Sequence, residues 1–191
     1  MAEILLFHHV HGLTTGIVAF ADALRQAGHV VHTPDLFEGR TFDTLQEGVN
    51  HARAVGFGEI IRRGARGADG LPDGMVYAGF SLGVLPAQYL AQTRPAARGA
   101  LFFHSCVPAS EFESPWREGL PAQIHAMDKD PSFVEEGDIE AAQALVAEHE
   151  DVKLFLYPGD KHLFSDKSLA DYDPVAAGLL MQRVLDFLSL R

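Results

Sequence analysis

The sequence predicts a three-layer α/β domain built on a doubly wound sheet of about six mostly parallel strands. Short apolar runs without polar alternation recur along the 191 residues, as expected for strands that are covered on both faces. Each run is followed by a helical pattern, and this alternation implies right-handed crossovers and a parallel sheet. We expect residues 1–191 to form a single domain.

Six apolar runs are the candidate strands. They lie at Ile4–Phe7, Val30–Val31, Met75–Ala78, Ala100–Phe103, around Ile124, and at Lys153–Tyr157. If their spatial order is 2-1-3-4-5-6, the order reverses between strands 1 and 3, and ligands bind outside the carboxyl ends of strands at such a reversal. The loops after these two strands are therefore the first place to look for a functional site.

The segments between the strands carry helical patterns. The first helix begins at Thr14 or Thr15 and ends at Gly28, a typical stop residue. Similar patterns lie at Leu82–Gln92, Asp138–His149 and Pro174–Leu190. The segment Asp43–Arg66 is a weaker candidate, because Gly48, Gly56 and Gly58 lower the helix propensity.

Composition excludes several classes of function. The chain carries 26 acidic and 15 basic residues, a formal net charge of −11, so neither a nucleic-acid nor a membrane partner is expected. The N-terminus lacks the basic region of a signal peptide, and no apolar run is long enough to span a bilayer. The single cysteine, Cys106, suits a reducing compartment and is interpreted as a packing residue. We expect a cytoplasmic monomer or homodimer that acts on a small molecule.

A candidate nucleophile follows the third strand, in Gly79-Phe80-Ser81-Leu82-Gly83. G-x-S-x-G between a strand and a helix is typical of the nucleophile elbow, a strained turn that projects the serine oxygen above the sheet. The alternative interpretation is a glycine-rich turn without chemistry. The placement of the motif after an apolar strand favours the elbow, with the backbone N–H of Leu82 as one donor of an oxyanion hole.

A serine nucleophile needs a histidine base that is oriented by a carboxylate, and in this fold the chain order is serine, acid, histidine. His162 follows the sixth strand and is the candidate base, against the alternative of a surface-loop histidine. Asp128 and Asp130 both follow the fifth strand. The residues alone leave the choice between these two carboxylates open.

Three histidines crowd the loop after the first strand, in Phe7-His8-His9-Val10-His11-Gly12. A metal site is one interpretation, but no H-E-x-x-H spacing accompanies them, so we predict neither a metal nor a cofactor. We expect His9 and His11 to be pocket-wall or capping residues. Trp116 is a candidate pocket residue too, with core packing as its alternative.

The sequence resembles the dienelactone hydrolase family of α/β-hydrolases. The resemblance rests on residues 9–14 (HVHGLT), residues 34–37 (PDLF), the GFSLG motif, Asp130-Pro131, and residues 157–164 (YPGDKHLF). It implies a triad of Ser81, Asp130 and His162, and places the second oxyanion donor at the backbone N–H of Val10. It also implies a minimal fold without the N-terminal antiparallel strands of larger relatives.

Three departures from the family pattern affect the expected substrate. The enzyme that gives the family its name has cysteine where this chain has Ser81, glutamate where it has His9, and a substrate-binding arginine where it has Asp166. A lactone that carries a carboxylate would therefore meet another carboxylate. We expect a serine hydrolase that cleaves an uncharged ester, lactone or thioester through an acyl-enzyme. The alternatives are an acyltransferase with the same triad, and a catalytically silent or metal-binding protein on this fold.

Overall fold

The computed structural model describes all 191 residues and contains one six-stranded sheet. The strands are β1 (Glu3–Phe7), β2 (Val30–His32), β3 (Val76–Phe80), β4 (Gly99–Phe103), β5 (Ala122–Met127) and β6 (Val152–Tyr157). Their order is β2-β1-β3-β4-β5-β6, and every neighbouring pair is parallel. The predicted fold class and the predicted strand order are both confirmed.

Seven helices flank the sheet. They are α1 (Thr15–Gln26), α2 (Leu45–Val55), α3 (Phe57–Gly67), α4 (Val84–Thr93), α5 (Pro131–Val134), α6 (Asp138–Glu148) and α7 (Pro174–Ser189). The Thr14 hydroxyl caps α1 by accepting the N–H of Ile17 at 3.2 Å, as the sequence predicts for this start. No helix of the chain is both long enough and apolar enough to cross a bilayer.

Side-chain alternation along the strands divides the interior into two layers. On β1, Ile4 and Leu6 join one apolar cluster, whereas Leu5 and Phe7 join the other. The first cluster contains the inner faces of α1 and α7, and the second contains those of α2 to α6. Both faces of the sheet are covered, which explains why the strands read as continuous apolar runs.

The segment Asp43–Arg66 differs from its weak helical prediction, because it forms two complete helices. Thr44 begins α2 with a capping box, in which its hydroxyl accepts the Glu47 N–H and the Glu47 carboxylate accepts the Thr44 N–H. Gly56, at φ +88°, separates α2 from α3. These caps and the packing of the helices on the sheet outweigh the low helix propensity of the glycines.

A buried histidine lies within the sheet itself. His125 on β5 is fully buried, stacks on Phe155, and hydrogen-bonds the Tyr157 hydroxyl at 2.8 Å and Gln123 at 3.1 Å. Burial lowers the pKa of His125 to about 3. The imidazole is therefore neutral in the folded protein at any pH near neutrality.

This burial predicts an acid-sensitive stability. Between the ordinary histidine pKa of about 6.5 and about 3, the unfolded chain binds a proton at His125 that the folded chain does not. The free energy of unfolding should therefore decrease as the pH falls through this interval, by about 1.4 kcal/mol per pH unit for this group. Urea unfolding at several pH values should show that the free energy of unfolding depends less steeply on pH in His125→Gln than in the wild type. Equal pH dependences would contradict the assignment of this proton uptake to His125.

Candidate active site

The turn after β3 brings Ser81 to the carboxyl edge of the sheet. Ser81 has φ +47°, a left-handed conformation that is strained for a residue with a side chain. The flanking glycines make the turn possible. A Cβ at Gly79 would lie 2.1 Å from the Gly83 carbonyl oxygen, and one at Gly83 would lie 2.6 Å from that of Phe7. The elbow is therefore pressed directly against the end of β1.

A chain of hydrogen bonds links a hydroxyl, an imidazole and a carboxylate. Ser81 Oγ lies 2.9 Å from His162 Nε2, and His162 Nδ1 lies 2.7 Å from Asp130 Oδ2. When the Nδ1 proton is donated to Asp130, Nε2 is free to accept the hydroxyl proton. Ser81 is partly exposed, whereas the Asp130 side chain is fully buried. The three residues follow β3, β5 and β6, so the parallel sheet brings their loops together.

The structure distinguishes the two candidate carboxylates. Asp130 caps the short helix α5, where its Oδ1 accepts the Ser132 N–H at 3.0 Å and its Oδ2 is left for His162. Asp128 is exposed, and its carboxylate accepts the backbone N–H of Gly159 at 3.0 Å. Only Asp130 contacts the imidazole, because the helix cap fixes its side chain towards the β6 loop.

The loop after β1 presents a backbone donor beside Ser81. Val10 lies in this loop and lines the same cavity as Ser81, Leu82 and His162. The Val10 N–H donates no hydrogen bond within the protein. A backbone N–H without a partner in the protein is available to an oxygen atom of another molecule.

The cavity at Ser81 has a volume of about 380 Å³. Apolar side chains from α2 and α4 line one part of it, and the carboxylate of Asp138 lies at another part. Asp138 accepts hydrogen bonds from the Ser105 hydroxyl and the Cys106 N–H, at 2.5 and 3.1 Å, while its burial raises its pKa. The exposed Arg53 is the one guanidinium in the lining.

His9 takes no part in this cavity, contrary to its prediction as a pocket residue. Its Nε2 lies 2.8 Å from Asp166 Oδ2, and both side chains are fully buried. The same carboxylate accepts hydrogen bonds from Thr14 Oγ at 2.5 Å, and from the N–H and hydroxyl of Ser168 at 2.8 and 2.6 Å. The network ties the loop that carries Val10 to the loop that carries His162.

The hydrogen bonds also fix the ionisation of this pair. Burial by itself raises the pKa of Asp166, but the hydrogen bonds from His9, Ser168 and Thr14 hold it well below its usual range. Burial lowers the pKa of His9, against the raising effect of Asp166. With Nε2–H donated to Asp166, His9 Nδ1 accepts the His11 N–H at 3.3 Å and so orders the loop around Val10.

His11 and Trp116 also lie outside the cavity, so His11 is not a pocket-wall residue, and Trp116 has the role of core packing that was the alternative for it. His11 Nδ1 lies 2.8 Å from the Phe42 carbonyl oxygen, so the imidazole fastens the loop to the chain before α2. Trp116 donates its indole N–H to the Leu120 carbonyl at 3.1 Å and packs on Phe102 within the core. Nowhere in the chain do three or more metal-ligating side chains converge.

His104, which the sequence places directly after the fourth strand, is a further residue of the cavity. It follows β4 with φ +67°, is fully buried, and has its ring centroid 6.0 Å from that of His162. Its Nε2 lies 2.7 Å from Ser165 Oγ, whereas its Nδ1 has no partner. Burial holds the pKa of His104 well below the ordinary value. A neutral ring therefore packs beside His162.

Comparison with known proteins gives a family and a set of structural neighbours. The family model described as "Dienelactone hydrolase family" matches residues 1–190. Among curated protein sequences, none matches the chain. Among solved structures, the chain is similar to a protein of Klebsiella pneumoniae subsp. pneumoniae MGH 78578 that is provisionally assigned as a dienelactone hydrolase. The TM-score is 0.79 at 18% identity, over 100% of this chain and 88% of that one.

Two further neighbours are enzymes with named activities. One is P91, a dienelactone hydrolase-like promiscuous phosphotriesterase from metagenomic libraries, with a TM-score of 0.77 at 16% identity over 100% of this chain and 86% of that one. The other is the propionate-bound esterase Est2 of Thermogutta terrifontis, with a TM-score of 0.64 at 16% identity over 99% and 83%. At these identities the likeness establishes the shared fold.

The packing around Asp166 predicts an unusual glycine requirement in α1. A Cβ at Gly16 would lie 1.5 Å from Asp166 Oδ1, so Gly16→Ala should displace the carboxylate from its hydrogen bonds. We expect it to destabilise the fold by about 2 kcal/mol or more in urea unfolding.

Gly178→Ala in α7 is the matched control, because a Cβ there would meet no atom within 4 Å. It should stabilise the fold by about 0.5–1 kcal/mol, since alanine is the better helix former. Similar effects at both positions would show that Asp166 does not constrain α1.

Proposed function

This chain belongs to the dienelactone hydrolase family and is a hydrolase acting on ester bonds, and we propose that it works as a serine hydrolase with the triad Ser81, His162 and Asp130. The observation that supports the proposal most directly is the continuous hydrogen-bond chain from Ser81 through His162 to Asp130 at a cavity of substrate size. The expected substrate is an uncharged ester, lactone or thioester.

The first half of the reaction forms an acyl-enzyme. His162 Nε2 takes the hydroxyl proton as Ser81 Oγ attacks the carbonyl carbon, and the imidazolium is stabilised by the buried carboxylate of Asp130. The carbonyl oxygen becomes an oxyanion, which accepts the N–H groups of Val10 and Leu82. The tetrahedral intermediate then collapses, and His162 returns its proton to the leaving alcohol or thiol.

The second half consumes water. A water molecule gives a proton to His162 as its oxygen attacks the acyl carbon, and collapse of the second intermediate releases the acid and restores the Ser81 hydroxyl. Ser81 and His162 are both partly exposed, so water reaches this site from solvent. Hydrolysis of the acyl-enzyme requires this access.

Asp166 bears on the choice of substrate. It lies four residues after His162, where the family pattern has the arginine that binds a substrate carboxylate. In this chain the position is a buried carboxylate whose oxygens are occupied by His9, Thr14 and Ser168. Asp166 does not line the cavity, so the expectation that a carboxylated lactone would meet this carboxylate is wrong. The position still offers no cation to such a lactone, and Arg53 is the one guanidinium in the cavity lining.

A fluorophosphonate probe tests the nucleophile. The wild type should be labelled at Ser81 and should hydrolyse small aryl esters, because His162 activates the hydroxyl. Ser81→Ala should lose labelling and at least about a thousandfold of the turnover. Peptide mapping locates the label, and equal labelling of the variant would overturn the assignment.

The two neighbouring aspartates supply a matched test of the acid. Asp130→Asn should lower kcat by about a thousandfold or more, because the amide no longer holds the imidazole in the productive tautomer. Asp128→Asn should change kcat only a few-fold, since Asp128 contacts a backbone N–H instead of His162. The measurement is the steady-state kcat of each variant on one aryl ester. A larger loss of kcat in Asp128→Asn than in Asp130→Asn would make Asp128 the acid of the triad.

A further inference from the structure

A second and larger cavity adjoins the catalytic one. It has a volume of about 880 Å³ and lies between α3, α4 and the segment of residues 107–114. The two cavities share five lining residues, which are Phe57, Leu85, Val107, Glu136 and Asp138. We call this second cavity the distal groove. Because five residues line both cavities, the groove lies directly beside the cavity at Ser81.

Helix α4 explains the direction of the groove. It begins directly after the turn that carries Ser81, and its lining residues Leu85, Tyr89 and Thr93 follow Ser81 at intervals of four. Residues four apart lie on one face of a helix, so the three form a stripe that leads away from the nucleophile. At 1.5 Å per residue, the stripe extends the site by about 12 Å beyond Leu85.

Helix α3 supplies the matching stripe. Phe57, Ile61 and Ala65 also recur at intervals of four and line the groove. Phe57 is 49% exposed, whereas Ile61 and Ala65 are partly buried. Phe112, from the segment after β4, lines the groove and packs against Tyr89 with ring centroids 5.7 Å apart. An exposed aromatic ring beside these two apolar stripes is a surface that an apolar ligand would cover.

The charged groups of the groove are mostly acidic. Four carboxylates line it, at Glu111, Glu113, Glu136 and Asp138. Its single cation, Arg62, is hydrogen-bonded to Glu59 at 2.9 Å. An anionic group in the groove would meet like charges, which disfavours its binding.

We propose that the distal groove is a subsite for the remote arm of the substrate, and that the arm is an extended, apolar and uncharged chain. The proposal rests on the proposed serine hydrolase function, because it takes Ser81 as the point where the reacting carbonyl is held. The catalytic cavity holds the ester, and the stripes of α3 and α4 contact the arm. Chain length and charge at the far end of the arm then determine kcat/KM.

A series of 4-nitrophenyl esters from acetate to octanoate, each below its micelle concentration, tests the proposal. We expect kcat/KM to increase by about twofold per added methylene, less than for complete burial because the groove is open to solvent. The mono-4-nitrophenyl ester of octanedioic acid carries a carboxylate at the far end. It should react about tenfold more slowly than the octanoate, and added salt should narrow the difference.

A second experiment blocks the groove with a larger side chain. Ala65→Phe fills the groove at a residue that does not line the cavity at Ser81, and it should lower the octanoate-to-acetate ratio of kcat/KM about tenfold. Ala147→Phe, at an exposed position of α6 outside the groove, is the matched control and should keep the wild-type ratio. Ile61→Ala should lower the ratio as well, by removing apolar contact, and circular dichroism verifies the folding of each variant.

The outcomes separate the two proposals. Absence of acetate turnover together with absence of fluorophosphonate labelling would refute the serine hydrolase itself. Normal acetate turnover with a flat chain-length profile, or an equal ratio in Ala65→Phe and the wild type, would overturn the subsite alone. If the protein is a dimer that Ala65→Phe dissociates, and kcat/KM does not depend on chain length, then a second copy of the chain covers the groove. This outcome would also overturn the subsite.

Discussion

The close approach between the Ser81 turn and the end of β1 is the constraint on which the site depends. A side chain at Gly83 would collide with the carbonyl oxygens of Phe7 and His8, at 2.6 and 2.7 Å. This contact places the serine hydroxyl beside the loop that carries Val10, and it orients the start of α4 away from the sheet edge. The strain at Ser81, with φ +47°, persists because close packing on β1 leaves the turn no alternative.

The polar network around Asp166 makes this arrangement rigid across the sheet edge. In the sheet, three strands (β3, β4 and β5) lie between β1 and β6, yet His9 and Asp166 join the loops that follow β1 and β6 through a fully buried hydrogen bond of 2.8 Å. Such a network is stabilising only when all its members are satisfied, and here Thr14 and Ser168 occupy the remaining capacity of the carboxylate. One carboxylate thereby positions both the proposed oxyanion donor and the proposed base.

The sequence was sufficient for the strands, for their order and for most of the helices. Apolar runs predicted the strands because both faces of the sheet are buried, and the strand order placed Ser81 and His162 at one edge. The histidine side chains were not predictable in the same way. His9 and Asp166 lie 157 residues apart, and no local pattern indicates their contact. The same holds for Trp116, whose burial against Phe102 depends on how residues 107–120 fold over the core. The choice between Asp128 and Asp130 needed the geometry of the α5 cap.

The helix that follows the nucleophile links the chemistry to the choice of substrate. One side of α4 must pack on the sheet, where Val84, Ala87 and Ala91 are fully buried, and this requirement fixes the rotation of the helix. The face of α4 that does not pack on the sheet carries Leu85 and Tyr89, and this face leads from Ser81 towards solvent. The packing that holds the serine in place therefore also determines the direction in which a bound substrate extends. Selection of an apolar arm requires no separate binding domain, because it follows from the residues on the free face of this helix.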